Sequence, residues 1–211
     1  MSVPARPKIY HIVHVNNLPS IVKDKHLWPD SIMVKQHGAA VIGNNEIKAD
    51  RLRLPVSSHP GTCVGEYVPF YFCPRSVMLY VISKRNHPNV AYGDGQGPVV
   101  HLVSDLHEVV EWANRLNIKW AFTDINAANR AADFYDDLEE LDQLNWQAIE
   151  ARSWASCRDH KMAEFLVHAK FPWTLVKGIG VHSEKVGKQA MTAFGNAIHR
   201  PPVKVRTDWY Y

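Results

Sequence analysis

The apolar residues of this chain come in short runs. The longest unbroken one, Val77–Ile82, has six residues. That is the size of a strand, far below the roughly 18–20 residues a membrane-spanning helix needs. A chain whose apolar segments stop at this length must assemble its core from many small elements. With 211 residues, against about 150 for a typical domain, the expectation is a single domain, 1–211.

The order of the short runs suggests the class. Ile9–Val13 reads as a strand, with Ile9, His11 and Val13 on one face and Tyr10 and Ile12 on the other. Asn17–His26 reads as a helix, because Leu18, Ile21 and Val22 recur at helical spacing. The stretch 36–62 is rich in turn formers and charge and reads as a loop, with a short helix around Asn45–Arg53. Val68–Phe72 and Val77–Ser83 read as strands on either side of a Cys73–Ser76 turn. Gly93, Gly95 and Gly97 mark a hairpin loop before a buried strand, Val99–Val103. Ser104 is placed to cap a helix running to Arg115, with Leu106, Val109, Val110 and Ala113 inward. Trp120–Thr123 is another strand, and Asn126–Asn145 is helical or looped. Trp146–Arg152 reads as a helix, Glu164–His168 and Lys177–Ser183 as strands, Val186–Ile198 as a helix and Val203–Arg206 as an edge strand. Strands and helices mix without regular alternation, so the predicted class is α+β with a mostly antiparallel sheet.

Composition narrows the function classes. Hydrophobic residues are 46% and charged residues 21%, ordinary for a globular chain and wrong for a disordered or collagenous one. The three cysteines form no CxxC pair, which points away from a disulfide framework and toward a reducing compartment. The opening MSVPARPKIYHIV lacks the apolar core of a secretory signal. The expectation is a soluble cytoplasmic protein with no membrane partner. A net charge of +3 and twelve histidines suit an anionic ligand or a nucleic acid.

Three residue types carry candidate chemistry. His11, in a strand, is either satisfied by backbone or a donor in a cleft. Arg51 and Arg53 lie in a charged loop, and a planar guanidinium is suited to a diphosphate or a carboxylate. Glu164 opens an apolar run, where a carboxylate is either a solvated end residue or an acid held by rigid backbone in a cleft. Spacing argues against a metal: Cys157-x-x-His160 is a lone half-site, and His11-x-x-His14 points to opposite faces of a strand. No dinucleotide fingerprint, P-loop or nucleophile elbow is present. Aromatic and basic residues interleave in Tyr67–Tyr80 and Trp154–Phe165, a composition suited to single-stranded nucleic acid. The acidic stretch Asp136–Asp142 contains the residues of a metal-dependent nuclease but reads more simply as a solvated face.

Longer strings carry a resemblance. Ile9–Leu18, Tyr67–Ser76 with Met78-Leu79-Tyr80, Ala163–Val167 followed by Phe171-Pro172-Trp173, and the closing Asp208–Tyr211 together resemble the DarT family of DNA ADP-ribosyltransferase toxins, in order over nearly the whole chain. The resemblance implies an ADP-ribosyltransferase-like split β-sandwich with peripheral helices. It implies NAD as co-substrate, with no metal expected, and transfer of ADP-ribose to a base in single-stranded DNA. That base is thymine in the members it is most like and guanine in another branch. It also implies a macrodomain antitoxin, DarG, as partner. Position by position, Arg51 and Glu164 match the catalytic pair. His11, Ile12, Val13, Ser20, Trp28 and Arg51 match NAD-contacting positions, and residues from about Gln36 to Arg53 match the NAD-binding loop. The stretch from about Trp120 to Glu164 matches the substrate-recognition loop. Arg75, Arg158 and Lys161 are candidate DNA contacts. The chain departs from the pattern at Ile125-Asn126-Ala127 and at Val13, where relatives often have threonine. The residues alone leave two other classes open. One is an RNA- or protein-modifying enzyme on the same fold; the other is a non-catalytic single-strand-binding module.

Overall fold

A computed structural model describes residues 2–33, 49–85 and 92–211. Ten strands are named among them. Eight form one sheet, in the order β10-β9-β4-β1-β3-β7-β5-β6. In chain order these are β1 Lys8–His14, β3 Tyr67–Tyr71, β4 Val99–Asp105, β5 Trp120–Thr123, β6 Phe134–Tyr135, β7 Glu164–His168, β9 Gly178–Val181 and β10 Val203–Val205. β2 His26–Leu27 and β8 Phe171–Pro172 pair separately. Every pairing is antiparallel except β10 with β9.

The sheet has a weak seam. β1 pairs with β4 along its whole length, Lys8 opposite Asp105 through to His14 opposite Val99. On its other side it meets β3 at one register pair, Tyr10 opposite Tyr71. Strands that touch at a single point part on either side of it. The sheet therefore divides into β10-β9-β4-β1 and β3-β7-β5-β6, which is the expected split.

The central strands are apolar on both faces because both faces are covered. Ile9, Val13, Phe70, Val100, Leu102, Phe165 and Val167 enter the main core. On the other face Tyr67, Ala121, Ala127 and Leu166 form a second cluster with Val56 and Val64. Ile12, Leu79, Ile82, Val99 and Tyr210 form a third. Helices cover the sheet: Leu18–Asp24 after β1, Leu106–Arg115 after β4 and Glu184–Ala193 after β9.

Three expectations are corrected. The run Val77–Ser83 is a helix, Val77–Lys84, not a strand. The Ser76 side chain accepts from the Leu79 amide at 3.2 Å and starts it, and left-handed Arg85 ends it. Unbroken apolar character concealed the helical period, and the cap decided the conformation. The glycine segment after it consequently closes no hairpin; it leads from that helix region into β4, with the Val99 amide on the Gln96 carbonyl at 3.0 Å. The helix Leu106–Arg115 is capped by Asp105 rather than Ser104, because β4 runs two residues further, to Asp105, and the carboxylate accepts the Glu108 amide at 3.2 Å. Residues 126–145, read as helical or looped, are mostly looped, with β6 and a 3-10 segment, Leu138–Gln143, within them. Of the expected nucleotide loop, residues 36–48 lie outside the described residues.

Candidate active site

Glu164 is the first residue of β7 and lies opposite both Tyr71 of β3 and Thr123 of β5. Register partners project from the same face, so Tyr71, Glu164 and Thr123 make one row beside the seam. Glu164 is only 2% exposed. A carboxylate so deeply buried must be paired or fully hydrogen-bonded. Here it is both. Arg51, at the end of a helical turn at 49–51, brings Nη1 to 2.9 and 3.1 Å from the two carboxylate oxygens. The Ala127 amide donates to Oε1 at 3.1 Å. Sequence distance gave no hint of this third contact, since a main-chain amide has no signature in a residue string.

Arg51 is as buried as its partner, with 6% exposure. Burial works to lower its pKa, but the charges of Glu164 and then Asp30 outweigh it, and the net direction is up. The guanidinium stays charged. Its Nη2 is buried and has no hydrogen-bond partner among the described residues. Such a donor fits an anionic or carbonyl oxygen brought in by a ligand. Beside the pair, the Tyr71 phenol is pushed well up, first by burial and then by the Glu164 charge, so it stays protonated.

His11 stands at the seam itself. Its Nδ1 lies 2.8 Å from the Pro69 carbonyl of β3. A carbonyl only accepts, so Nδ1 carries a proton and donates. The side chain thus reaches across where the β1–β3 ladder has already stopped. Its flanking residues do something else. The Ile12 and Val13 side chains are buried in two different core clusters, so a nucleotide contact from either position is a main-chain one. Ser20 is exposed and donates to the Asn17 carbonyl at 2.8 Å. The Trp28 indole donates to Asp24 at 3.1 Å and its ring lies near His26. Both stand on the segment that leaves β1, with local partners.

Two of the three DNA candidates have partners inside the protein. Lys161 is 2% exposed; its ammonium donates to the Ile149 carbonyl at 2.7 Å and faces the Cys73 sulfur at 3.6 Å. That charge is spent on packing and does not reach a phosphate. The Arg75 guanidinium donates to the Tyr210 main-chain oxygen and lies 4.1 Å from the centre of the Tyr211 ring. It pins the end of the chain. Arg158 is exposed and keeps its charge for solvent or a ligand. The two aromatic stretches do converge, with Tyr80 edge-on to both Trp154 and Tyr211 at 5.2 Å. Among the described residues no three His, Cys, Asp or Glu side chains gather as a metal set.

A sheet parted at one seam, with a buried acid clamped by an arginine beside it, is the layout of an ADP-ribosyltransferase. A Thermus sp. 2.9 DarT in complex with NAD+ has the same fold, with a TM-score of 0.82 at 36% identity over 100% of both chains. The DarT of Thermus sp. 2.9 in complex with ADP-ribosylated ssDNA matches with a TM-score of 0.90 at 37% identity, over 100% of this chain and 99% of that one. A DNA ADP-ribosyl transferase of Thermus aquaticus is 40% identical over 213 residues, covering 100% of this chain and 92% of the relative. The model of the family "ssDNA thymidine ADP-ribosyltransferase, DarT" matches residues 10–211. The chain belongs to the DarT family.

Proposed function

We propose that this chain transfers ADP-ribose from NAD to a thymine base of single-stranded DNA and releases nicotinamide. The observation that carries the reading is the buried Glu164 carboxylate, held by Arg51 and the Ala127 amide beside the seam.

The chemistry follows from the bond that breaks. Nicotinamide leaves NAD as a neutral group, so no acid has to protonate it, and positive charge develops on the ribose. A fixed carboxylate in a dry site stabilises that charge more than water would, because it needs no reorganisation. Glu164 binds the ribose 2′-hydroxyl and counters the sugar cation. The nucleophile is thymine N3, the only ring nitrogen of thymidine that bears a hydrogen. As the C1′–N3 bond forms and the C1′–nicotinamide bond breaks, the N3 proton passes to the Glu164 carboxylate. Arg51 remains a guanidinium throughout and works as an orienting and electrostatic group; its buried Nη2 fits a phosphate or a base carbonyl. His11, fixed to the Pro69 carbonyl at the seam, stands where the resemblance places the cofactor's nicotinamide and ribose.

N3 lies on the pairing edge of thymine. A duplex hides it, so the substrate is a single strand or a flipped base. A bulky ADP-ribose on that edge blocks pairing and halts replication, which is the physical basis of a toxin. A macrodomain antitoxin of the DarG type, which removes the modification, fits as partner. The enzyme works where NAD and replicating DNA are found, in the cytoplasm; no described helix is long and apolar enough to cross a membrane.

The test is mass spectrometry of short single-stranded oligonucleotides of varied sequence after incubation with NAD. An ADP-ribose adduct on thymine is expected, with Glu164→Ala giving none while still binding NAD. An adduct on guanine, RNA or protein would reassign the acceptor, and near-normal turnover by Glu164→Ala would remove the acid from the mechanism.

A further inference from the structure

Thr123 is buried without remainder, at 0% exposure. Its hydroxyl is fully used. It donates to the Ile125 carbonyl at 2.6 Å and accepts the Glu164 amide at 3.3 Å. The first bond fixes the turn that leaves β5. Two residues further on, that turn delivers the Ala127 N–H to Glu164 Oε1 at 3.1 Å. The circuit is closed, running from the Glu164 main chain to the Thr123 hydroxyl, through the turn, and back to the Glu164 carboxylate. Ala127 is itself buried in the second core cluster. The turn is cinched from outside as well. The Asn126 side chain accepts the Ala128 amide at 2.8 Å, and Asp124 accepts the Asp133 amide at 3.1 Å.

From this circuit we infer that Thr123 is a positioning residue, setting the angle at which Glu164 faces the substrate and tying that angle to the loop 124–133. The inference rests on Glu164 as the acid of the proposed reaction. Arg51 alone grips the carboxylate at both oxygens through one nitrogen, Nη1, and two contacts from one atom leave rotation about that atom free. The Ala127 amide approaches Oε1 from a second element and removes the freedom. A misplacement of a fraction of an ångström at an electrostatic group is enough to cost rate while leaving ground-state binding alone. The loop that holds this amide is the one that leads from β5 toward the exposed edge of the sheet.

The experiment compares Thr123→Val, Thr123→Ser and Glu164→Gln by steady-state kinetics with NAD and a reactive single-stranded oligonucleotide. Thr123→Val keeps the shape and deletes both hydrogen bonds. Its kcat is expected to fall about tenfold or more with KM for NAD and for DNA within about threefold, and Thr123→Ser is expected to recover most of the loss. Should Thr123→Val fail to fold, Ala127→Pro carries the same test, because proline has no N–H to give Glu164. A wild-type kcat in the folded variant overturns the inference. So does a loss that sits in KM, or a Thr123→Ser as impaired as the valine variant. Glu164→Gln separates the two readings: if it turns over normally, the acid itself is misassigned. If it is dead while Thr123→Val is normal, only the positioning role fails.

Discussion

Lysine and arginine at the site's edge show how burial reassigns a charge. Lys161, read as a phosphate contact, spends its ammonium on the Ile149 carbonyl, and Arg75 spends its guanidinium on the end of the chain. Only Arg158 of the three is exposed. A lysine or arginine that neutralises a phosphate steepens the salt dependence of DNA binding by about one unit of slope. Arg158→Ala is accordingly expected to weaken oligonucleotide binding across sequences and to flatten the plot of log K against log salt by about one. Lys161→Met is expected to leave that slope unchanged and to lower the melting temperature instead. Fluorescence anisotropy across a salt series, with a thermal melt of each variant, checks both. A flattened slope for Lys161→Met would mean that the ammonium leaves its packed position for DNA.

Among the elements, the helix Val77–Lys84 shows how a cap overrides pattern. Its sequence is apolar nearly throughout, so periodicity of two and of 3.6 fit equally well. Ser76 settles the matter by taking the Leu79 amide. Replacing a serine N-cap with alanine typically costs about 1 kcal/mol. Ser76 is completely buried, so water does not replace the lost acceptor, and the expected cost of Ser76→Ala is at or above that figure. Urea unfolding checks it: the midpoint should drop with the slope unchanged. The strands, by contrast, follow their short apolar runs closely, as at Trp120–Thr123 and Glu164–His168. Their boundaries are set by residues that both faces of a buried sheet require. The site residues divide in the same way. Glu164 and Arg51 stand out as charges in the wrong company, an acid heading an apolar run and an arginine whose loop must fold inward. Thr123 and the Ala127 amide do not, because a threonine hydroxyl and a main-chain N–H acquire their roles only when a turn brings them to the carboxylate.

At the scale of the whole molecule, the closing residues lock the half-sheet that holds β1. The Tyr210 hydroxyl donates to the Val99 carbonyl at 2.8 Å, and Trp209 packs on Gly180, where any Cβ would overlap its ring. His101 lies inside this lock, its Nε2 at 2.9 Å from the Pro74 carbonyl beyond the seam. Burial pulls its pKa down from 6.5 to about 4, against the hydrogen bonds that favour the charged ring. The unfolded chain therefore binds a proton between those values that the folded one refuses. Stability from this group is complete above pH 6.5 and is lost as the pH falls toward 4, by up to about 3 kcal/mol. His14 and His168, lowered mainly by burial, act in the same sense. Unfolding free energies at pH 7 and pH 4.5 are expected to differ accordingly. His101→Gln, which donates to Pro74 without titrating, is expected to flatten the difference, and an unchanged slope would place the pH sensitivity elsewhere.

The residue string by itself determined seven of the ten named strands in their order, the α+β class, and the two charges of the proposed chemistry. It could do so because each is a local property: a run of apolar side chains, or a charge where apolar neighbours make it expensive. Tertiary structure alone decided where the sheet parts, which charges are spent inside, and what holds the acid in place. The Tyr10–Tyr71 seam, the inward turn of Lys161 and the grip of Arg51 and Ala127 on Glu164 all join residues far apart in the chain. Their energies depend on burial and on the angle between elements, quantities that exist only once the sheet has closed around them.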